Sequence, residues 1–341
     1  MGALSSKPNC YFNGRGSPKV KMLKTARTRE IRLELSILGV LIGIFAIFFI
    51  GSFQVFSKFD IYYSFMSTIP VSGIMALAMT FVVISGEIDL SFPSILGFSA
   101  WVFSKIVEIT DGNIWLATLL CFATGILAGA LNGFIVVRIG IPSLVATIGT
   151  QFFFRGLVNV AGQGLGITLV PVKGTFLYKM FVGRISNAIP AQAIWMVVIA
   201  VIFWFILNRH RFGSHVLFVG DNVESARMMG IKVNRVKMTV FMTMGFIAAF
   251  SGILASLEVT YFWPTLGGGY LLRTLAAVFV GGTSVFGGMG TIFGTFIGAL
   301  IIGSLEAGII AIGLTGFWTQ LIYGLIIVVA LSIYTLLRKR G

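Results

Sequence analysis

The sequence predicts an all-α, polytopic membrane protein with about ten transmembrane helices. Hydrophobic residues make up 57% of the 341 and charged ones only 11%, too few polar side chains to cover a soluble globule of this size. Apolar runs recur at roughly the 20 residues that a helix needs to cross the hydrocarbon core. The 25 lysines and arginines gather at the ends of those runs, with no basic groove interleaved by aromatics, so the formal charge of +14 does not imply nucleic acid.

Cutting the chain at charges, prolines and Asx-Gly pairs gives spans near 35–56, 66–85, 93–109, 114–137, 142–160, 190–207, 238–257, 272–288, 291–312 and 316–336. Residues 1–34 then form a basic cytoplasmic tail, and 35–341 a single transmembrane domain with a cytoplasmic loop at about 208–237. The tail is longer than the charged region of a signal peptide and no small-residue cleavage site follows Phe56, so the first apolar run reads as a retained span. MGALSS at the start fits the myristoylation pattern only formally. Cys10 and Cys121 are too far apart in kind of segment to imply a disulfide or a metal site. With the N-terminus inside, eighteen of the lysines and arginines fall inside and five outside (Lys58, Lys105, Lys173, Lys179, Arg184), which obeys the positive-inside rule and returns the C-terminus to the cytoplasm.

After the second span, Gly86-Glu87-Ile88-Asp89-Leu90-Ser91 precedes Pro93. Ionised carboxylates are costly in hydrocarbon, so Glu87 and Asp89 belong at an interface, at a helix cap or in a polar cavity. Asp89 or Ser91 as the N-cap before Pro93 is one reading, because proline suits the first helical turn; a role in permeation or proton coupling is the other. Polar residues at span depth include Asn132, Gln151, Arg155, Asn159, Glu258, Glu306 and Gln320, each serving either as glue between helices or as pathway lining. Arg155 and Glu258 both fall near the outer ends of their spans and are expected to pair. The outward loop at about 161–189 is expected to hold a short helix at the outer face.

The polar segment Phe218 to Lys237 must lie in water. Asp221 and Glu224 have capping-box spacing and Gly230 suits a left-handed helix end, which predicts a helix of barely two turns over 222–229. So short a helix is not stable alone and calls for a docking partner; the alternative is a solvated connector. His210 and His215 in this loop exclude a multi-histidine metal centre. Further on, the glycines of Gly281 to Gly290 weaken the eighth span and predict a broken or re-entrant element. No Lys-Ser or Lys-Thr follows them, so the phosphate-binding Walker pattern fails there, as it does throughout the chain. LAxxFV occurs at Leu77–Val82 and again at Leu275–Val280, by chance or as a trace of duplication.

Four segments, GEIDLS (86–91), LNGFIVVRIGIPSLVATIGTQFFFRGL (131–157), GDNVESARMMGI (220–231) and LAAVFVGGTSVFGGMGTIFGTFIGALIIG (275–303), resemble the permease subunits of ribose-type sugar ABC importers in order and spacing from about residue 35 onward. The resemblance implies a type II importer permease fold in the bacterial inner membrane, working as a dimer with a second copy or a paralogue. It also implies a cytoplasmic ATPase that carries ATP and Mg, a periplasmic binding protein, and no cofactor or catalysis on this chain. It makes Gly220, Asp221, Asn222, Glu224, Ala226, Arg227, Gly230 and Ile231 the helix that couples to the ATPase. Asn132, Gln151, Asn159, Thr283 and Gln320 become pathway candidates, and Glu87, Asp89, Ser91, Arg155 and Glu258 structural or gating candidates. The family more often has Gly-Gly-Ile-Asp-Leu-Ser where this chain carries Ser85, Gly86 and the extra carboxylate Glu87, and Phe92-Pro93 replaces Val-Gly. An ion-coupled secondary transporter, with Glu87, Asp89 or Glu258 as ion site, is the rival class; within importers, nucleosides, riboflavin and branched-chain amino acids remain alternative solutes.

Overall fold

The computed structural model describes residues 18–186, 188–311, 315 and 317–339. Lys7, Cys10, Arg15 and Arg340 lie outside the described residues. The chain is built from helices: α1 (Pro18–Gly51), α2 (Phe53–Phe56), α3 (Phe59–Ile84), α4 (Phe92–Ile109), α5 (Ile114–Phe134), α6 (Ser143–Gly162), α7 (Phe176–Val182), α8 (Ala191–Arg209), α9 (Arg211–Asp221), α10 (Val223–Met228), α11 (Val233–Glu258), α12 (Tyr270–Val280), α13 (Ile292–Ala311) and α14 (Phe317–Lys339). Eight of these helices are long and apolar enough to cross a membrane, and α12 and the Phe317–Val329 part of α14 are shorter apolar helices. The protein is therefore an all-α polytopic membrane protein with ten apolar helices among the described residues.

Helices α3 and α11 form the centre, buried along most of their length; α11 packs on α5, α4 and α3, and α3 on α13, α8 and α12. Their apolar residues run all round the helix, as expected of helices enclosed by others rather than by lipid on one side. Close approach comes from small residues: a Cβ added at Gly125 of α5 would overlap the carbonyl of Gly245 on α11, so the two backbones touch there. Around this pair, α1, α5, α6, α8 and α14 turn apolar side chains such as Ile50, Leu127, Phe152, Val201 and Leu321 outward, the surface a bilayer would cover.

The span boundaries shift from the sequence reading where polar residues continue a helix. Residues 18–34, expected as a basic tail, continue α1 ahead of its candidate span, Glu34–Gly51, and the expected 35–56 span breaks at Ser52 before the single turn of α2. Helix α3 starts at Phe59 instead of 66, with Asp60 in its first turn, a favourable place for an acid. The connection between α6 and α8 contains the short helix expected there, α7, and takes part in two small antiparallel pairings, Ile167–Thr168 with Tyr261–Phe262 after α11 and Arg184–Ile185 with Ile189–Pro190.

The eighth apolar run is broken, as its glycines predict. Helix α12 stops at Val280, and the non-helical segment 281–291 follows before α13. Irregular backbone enclosed by other elements must find its hydrogen bonds within protein; here Ser284 N–H donates to Met289 O at 2.9 Å and Gly288 N–H to Ile84 O at 2.9 Å. The ends of α3 and α12 share one geometry. Gly86 N–H donates to Val83 O and Glu87 N–H to Val82 O, while Gly282 N–H donates to Phe279 O and Thr283 N–H to Val278 O, with φ of +82° at Gly86 and +81° at Gly282. Gly86 thus corresponds to Gly282, whereas the LAxxFV match would align it with Ser284. That match is out of register with the structural likeness.

Candidate functional site

One end of the bundle carries α9 and α10, and the residues singled out between 220 and 231 converge there. Helix α8 ends at Arg209; His210 takes an extended conformation and its Nδ1 accepts from Phe212 N–H at 3.1 Å, starting α9. Gly213, Val216 and Val219 bury one side of α9 against the bundle. Asn222 then breaks the helix in an extended conformation, and its Oδ1 accepts from Ser225 N–H at 2.8 Å to start α10. Asp221 is accordingly not the cap: it is the last residue of α9, and the neighbouring Asn222, an equally good cap type, takes the position. Glu224 does not close a capping box. Its carboxylate meets Arg227 at 2.8 Å on the exposed face.

Helix α10 ends as expected. Gly230 has φ +78° and Ile231 N–H donates back to Ala226 O at 3.0 Å, which satisfies a terminal carbonyl. Ala226 is fully buried, while Met228 is 82% and Met229 56% exposed. A six-residue helix with its small residue inward and two methionines outward presents a soft apolar surface that intrachain packing leaves uncovered.

The entry to α10 is fixed by backbone contacts. A Cβ added at Gly220 would lie 2.7 Å from Gly288 N and closer still to Ile84 O; one at Gly287 would lie 2.7 Å from Gly220 O and 3.1 Å from Gly86 Cα; one at Gly288 would lie 2.9 Å from Asp221 Cα. The end of α9, the end of α3 and segment 281–291 therefore meet with no side chain between them. Sequence reasoning treated these glycines as general close packing and missed that Gly220 joins them.

Beside this junction, the loop from Ser85 to Ser91 is pinned on three sides. Glu87 pairs with Lys237 of α11, both largely buried. Ile88 N–H donates to Ser143 Oγ at 3.1 Å and Leu90 N–H to Thr147 Oγ1 at 3.0 Å, both on α6. Asp89 is fully buried; its Oδ1 accepts from Ser91 N–H at 2.8 Å and from Ser91 Oγ–H at 2.6 Å, and Asn132 of α5 donates to Ser91 Oγ at 2.6 Å. Ser91 holds the N-cap position of α4, with Pro93 in the first turn, but its hydroxyl turns to Asp89 instead of capping. Burial pushes the Asp89 carboxyl up, with the Ser91 hydrogen bonds opposing.

The five pathway candidates separate. Asn132 is enclosed in the Asp89–Ser91 knot, and Thr283 is buried 3.5 Å from the hydroxyl of Thr295, which lies 2.7 Å from that of Thr80. Gln151 and Asn159 lie on α6, half-buried and exposed, and Gln320 is exposed on α14. Among the described residues no hydrogen bond joins any two of the five. At the opposite end, the expected Arg155–Glu258 pair does not form. Arg155 Nη1 donates to Pro264 O at 2.7 Å and Leu266 O at 3.0 Å, holding the loop after α11, and Glu258 accepts from Gln192 of α8. Backbone carbonyls satisfy Arg155 and a side-chain amide satisfies Glu258.

The family described as branched-chain amino acid transport system / permease component matches residues 61–331. The chain is 35% identical over 263 residues to the ribose import permease protein of Bacillus subtilis (strain 168), covering 77% of this chain and 80% of that protein. It is 31% identical over 272 residues to the ribose import permease protein of Escherichia coli (strain K12), covering 80% and 84%. With the fructose import permease protein of Rhizobium meliloti it shares 29% identity over 282 residues, 80% and 77% of the two chains.

Proposed function

The chain belongs to the branched-chain amino acid transport system / permease component family, among its ribose-type importer permeases, and on that footing we propose that it translocates a sugar or related polyol in an ATP-driven importer. The likeness to ribose and fructose import permeases supports the solute class over ion-coupled transport and over nucleosides, riboflavin or amino acids. In this reading ATP and Mg bind a separate cytoplasmic ATPase, and a periplasmic binding protein delivers the solute. Two permeases, a homodimer or a pair with a paralogue, enclose the pathway in the bacterial inner membrane, with both termini cytoplasmic.

The observation that carries the coupling role is α10 and its attachment. The exposed Met228, Met229 and the Glu224–Arg227 pair offer a small docking surface, and Gly220 sets the end of α9, which leads into α10, directly against the backbone of α3 and segment 281–291. A push on α10 then reaches the transmembrane helices without passing through flexible side chains. Asn159 and Gln320, exposed on α6 and α14, and the half-buried Gln151 support a pathway completed by the second permease; hydroxyl-rich solutes need such donors and acceptors to replace their water.

The test is reconstitution of the chain with its ATPase and binding protein in proteoliposomes, measuring uptake of ribose, fructose and other polyols alongside ATP hydrolysis. Deletion of residues 223–228 should leave an inserted protein whose uptake is lost. Unchanged uptake after that deletion, or uptake by the chain alone driven by an ion gradient, would overturn the proposal.

A further inference from the structure

A half-open cavity of about 350 Å³ lies between α3, α8, α9 and α11 at the end of the bundle that carries α10. Its walls are Phe81, Phe203, Phe205, Phe212 and Val240, with ring centroids 5.2 Å apart for Phe81 and Phe203 and 6.4 Å for Phe81 and Phe212. The depth is defined by the helices themselves. Phe81 is within a turn of the end of α3, Phe205 within about a turn of the end of α8, and Thr239 about two turns into α11, so the cavity lies where acyl chains give way to headgroups.

Cationic residues adjoin the cavity lining in sequence. His210 lines the cavity; because its Nδ1 accepts from Phe212 N–H, the neutral ring carries its proton on Nε2 and presents a donor. Arg209 and Arg211 flank it in sequence, and Arg235 stands one turn before Thr239 on α11, where the Thr239 hydroxyl donates to the Arg235 carbonyl at 2.9 Å. All three arginines are exposed, and none forms an ion pair among the described residues. The acids nearest in sequence, Asp221 and Glu224, lie beyond the length of α9, and Glu224 is already bound to Arg227.

We propose that this is a binding site for an anionic glycerophospholipid, one acyl chain in the aromatic cavity and the phosphate among Arg209, His210, Arg211 and Arg235. A half-open aromatic cleft gains dispersion contacts when filled, and exposed arginines free of acidic partners beside its lining favour a negative charge. A zwitterionic lipid would fill the cleft but leave that charge unmatched. The site does not depend on the transported solute or on the role of α10.

The full-length protein, delipidated in detergent, is titrated with dioleoyl phosphatidylglycerol and, separately, dioleoyl phosphatidylcholine, with native mass spectrometry counting retained lipid and thermal unfolding recording stabilisation. Phosphatidylglycerol should bind about tenfold or more tightly than phosphatidylcholine. The triple variant Arg209→Gln, Arg211→Gln, Arg235→Gln should erase that preference, and Thr239→Trp, which intrudes from an exposed position, should weaken both lipids. Should the triple variant fold poorly, Arg235→Gln alone must still reduce the preference. Equal retention of the two lipids by the unaltered protein would overturn the proposal, leaving only annular lipid. So would a triple variant that keeps the preference but loses its ATPase subunit, since the arginines would then serve protein docking.

Discussion

The N–H of Gly288 donates to the carbonyl of Ile84 at 2.9 Å, tying segment 281–291 to the end of α3 beside Gly220, where α9 gives way to α10. Three stretches distant in sequence meet here through backbone alone.

Gly220→Ala is therefore expected to push α9 away from Ile84 and Gly288 while the protein still inserts and still binds its ATPase. In proteoliposomes, ATP hydrolysis should persist and uptake should fall at least about tenfold, because a barrier rise of 1.4 kcal/mol suffices for that. Uptake that tracks hydrolysis as in the unaltered chain would show that the contact transmits nothing.

Asn222→Ala removes the one side-chain cap of α10 and should cost about 1 kcal/mol locally. Amide hydrogen exchange at residues 225–228 should quicken without change elsewhere in the bundle, and ATPase affinity should weaken. Asp221→Ala should leave exchange in α10 nearly unchanged, since Asp221 closes the preceding helix.

Glu87→Ala leaves Lys237 without its partner in a largely buried position, a loss of about 2 kcal/mol after allowance for residual solvent. Exchanging the charges, Glu87→Lys with Lys237→Glu, should recover much of it in thermal unfolding. Recovery absent in the double variant would mean that packing of the two stems, not the ion pair, supplies the stability.

Asp89→Ala strips the acceptor from Ser91 N–H and Ser91 Oγ–H inside the protein and should destabilise it by about 2–3 kcal/mol. The pH dependence has a definite sign. Burial raises this carboxyl, so between its unfolded and folded pKa values the folded protein holds the proton more tightly than the unfolded chain. Stability then declines as pH climbs above the ordinary carboxylate range, and Asp89→Asn should flatten that decline in thermal unfolding measured from pH about 4 upward.

How much of this was legible in the sequence depends on the range of the forces involved. Hydrophobic runs set by bilayer thickness revealed all ten apolar helices, and the glycines near 281–290 revealed the broken one. Local chemistry gave α10 to within a residue at each end; Asp221 and Asn222 are both good caps, and only packing of α9 decides between them. Pairings between distant segments were less accessible. Arg155 and Glu258 stood out as charges in apolar runs, yet nothing in the chain indicated that the carbonyls of Pro264 and Leu266 would satisfy one and Gln192 the other. Glu87 stood out as a charge, but Lys237 as its partner lies 150 residues away. A glycine such as Gly220, whose role is to bring nothing between two backbones, leaves no local signature.

The coil from 281 to 291 also bears on biogenesis. Most of its bonded amides find partners within 277–289, and one, Gly288 N–H, takes the Ile84 carbonyl, so its final seating against α3 and Gly220 follows the placement of both. The helical hairpin of α12 and α13 consequently carries most of its own bonds into the lipid, and a fragment beginning after α10 should insert yet leave the Gly288 amide fast to exchange until the N-terminal half is supplied.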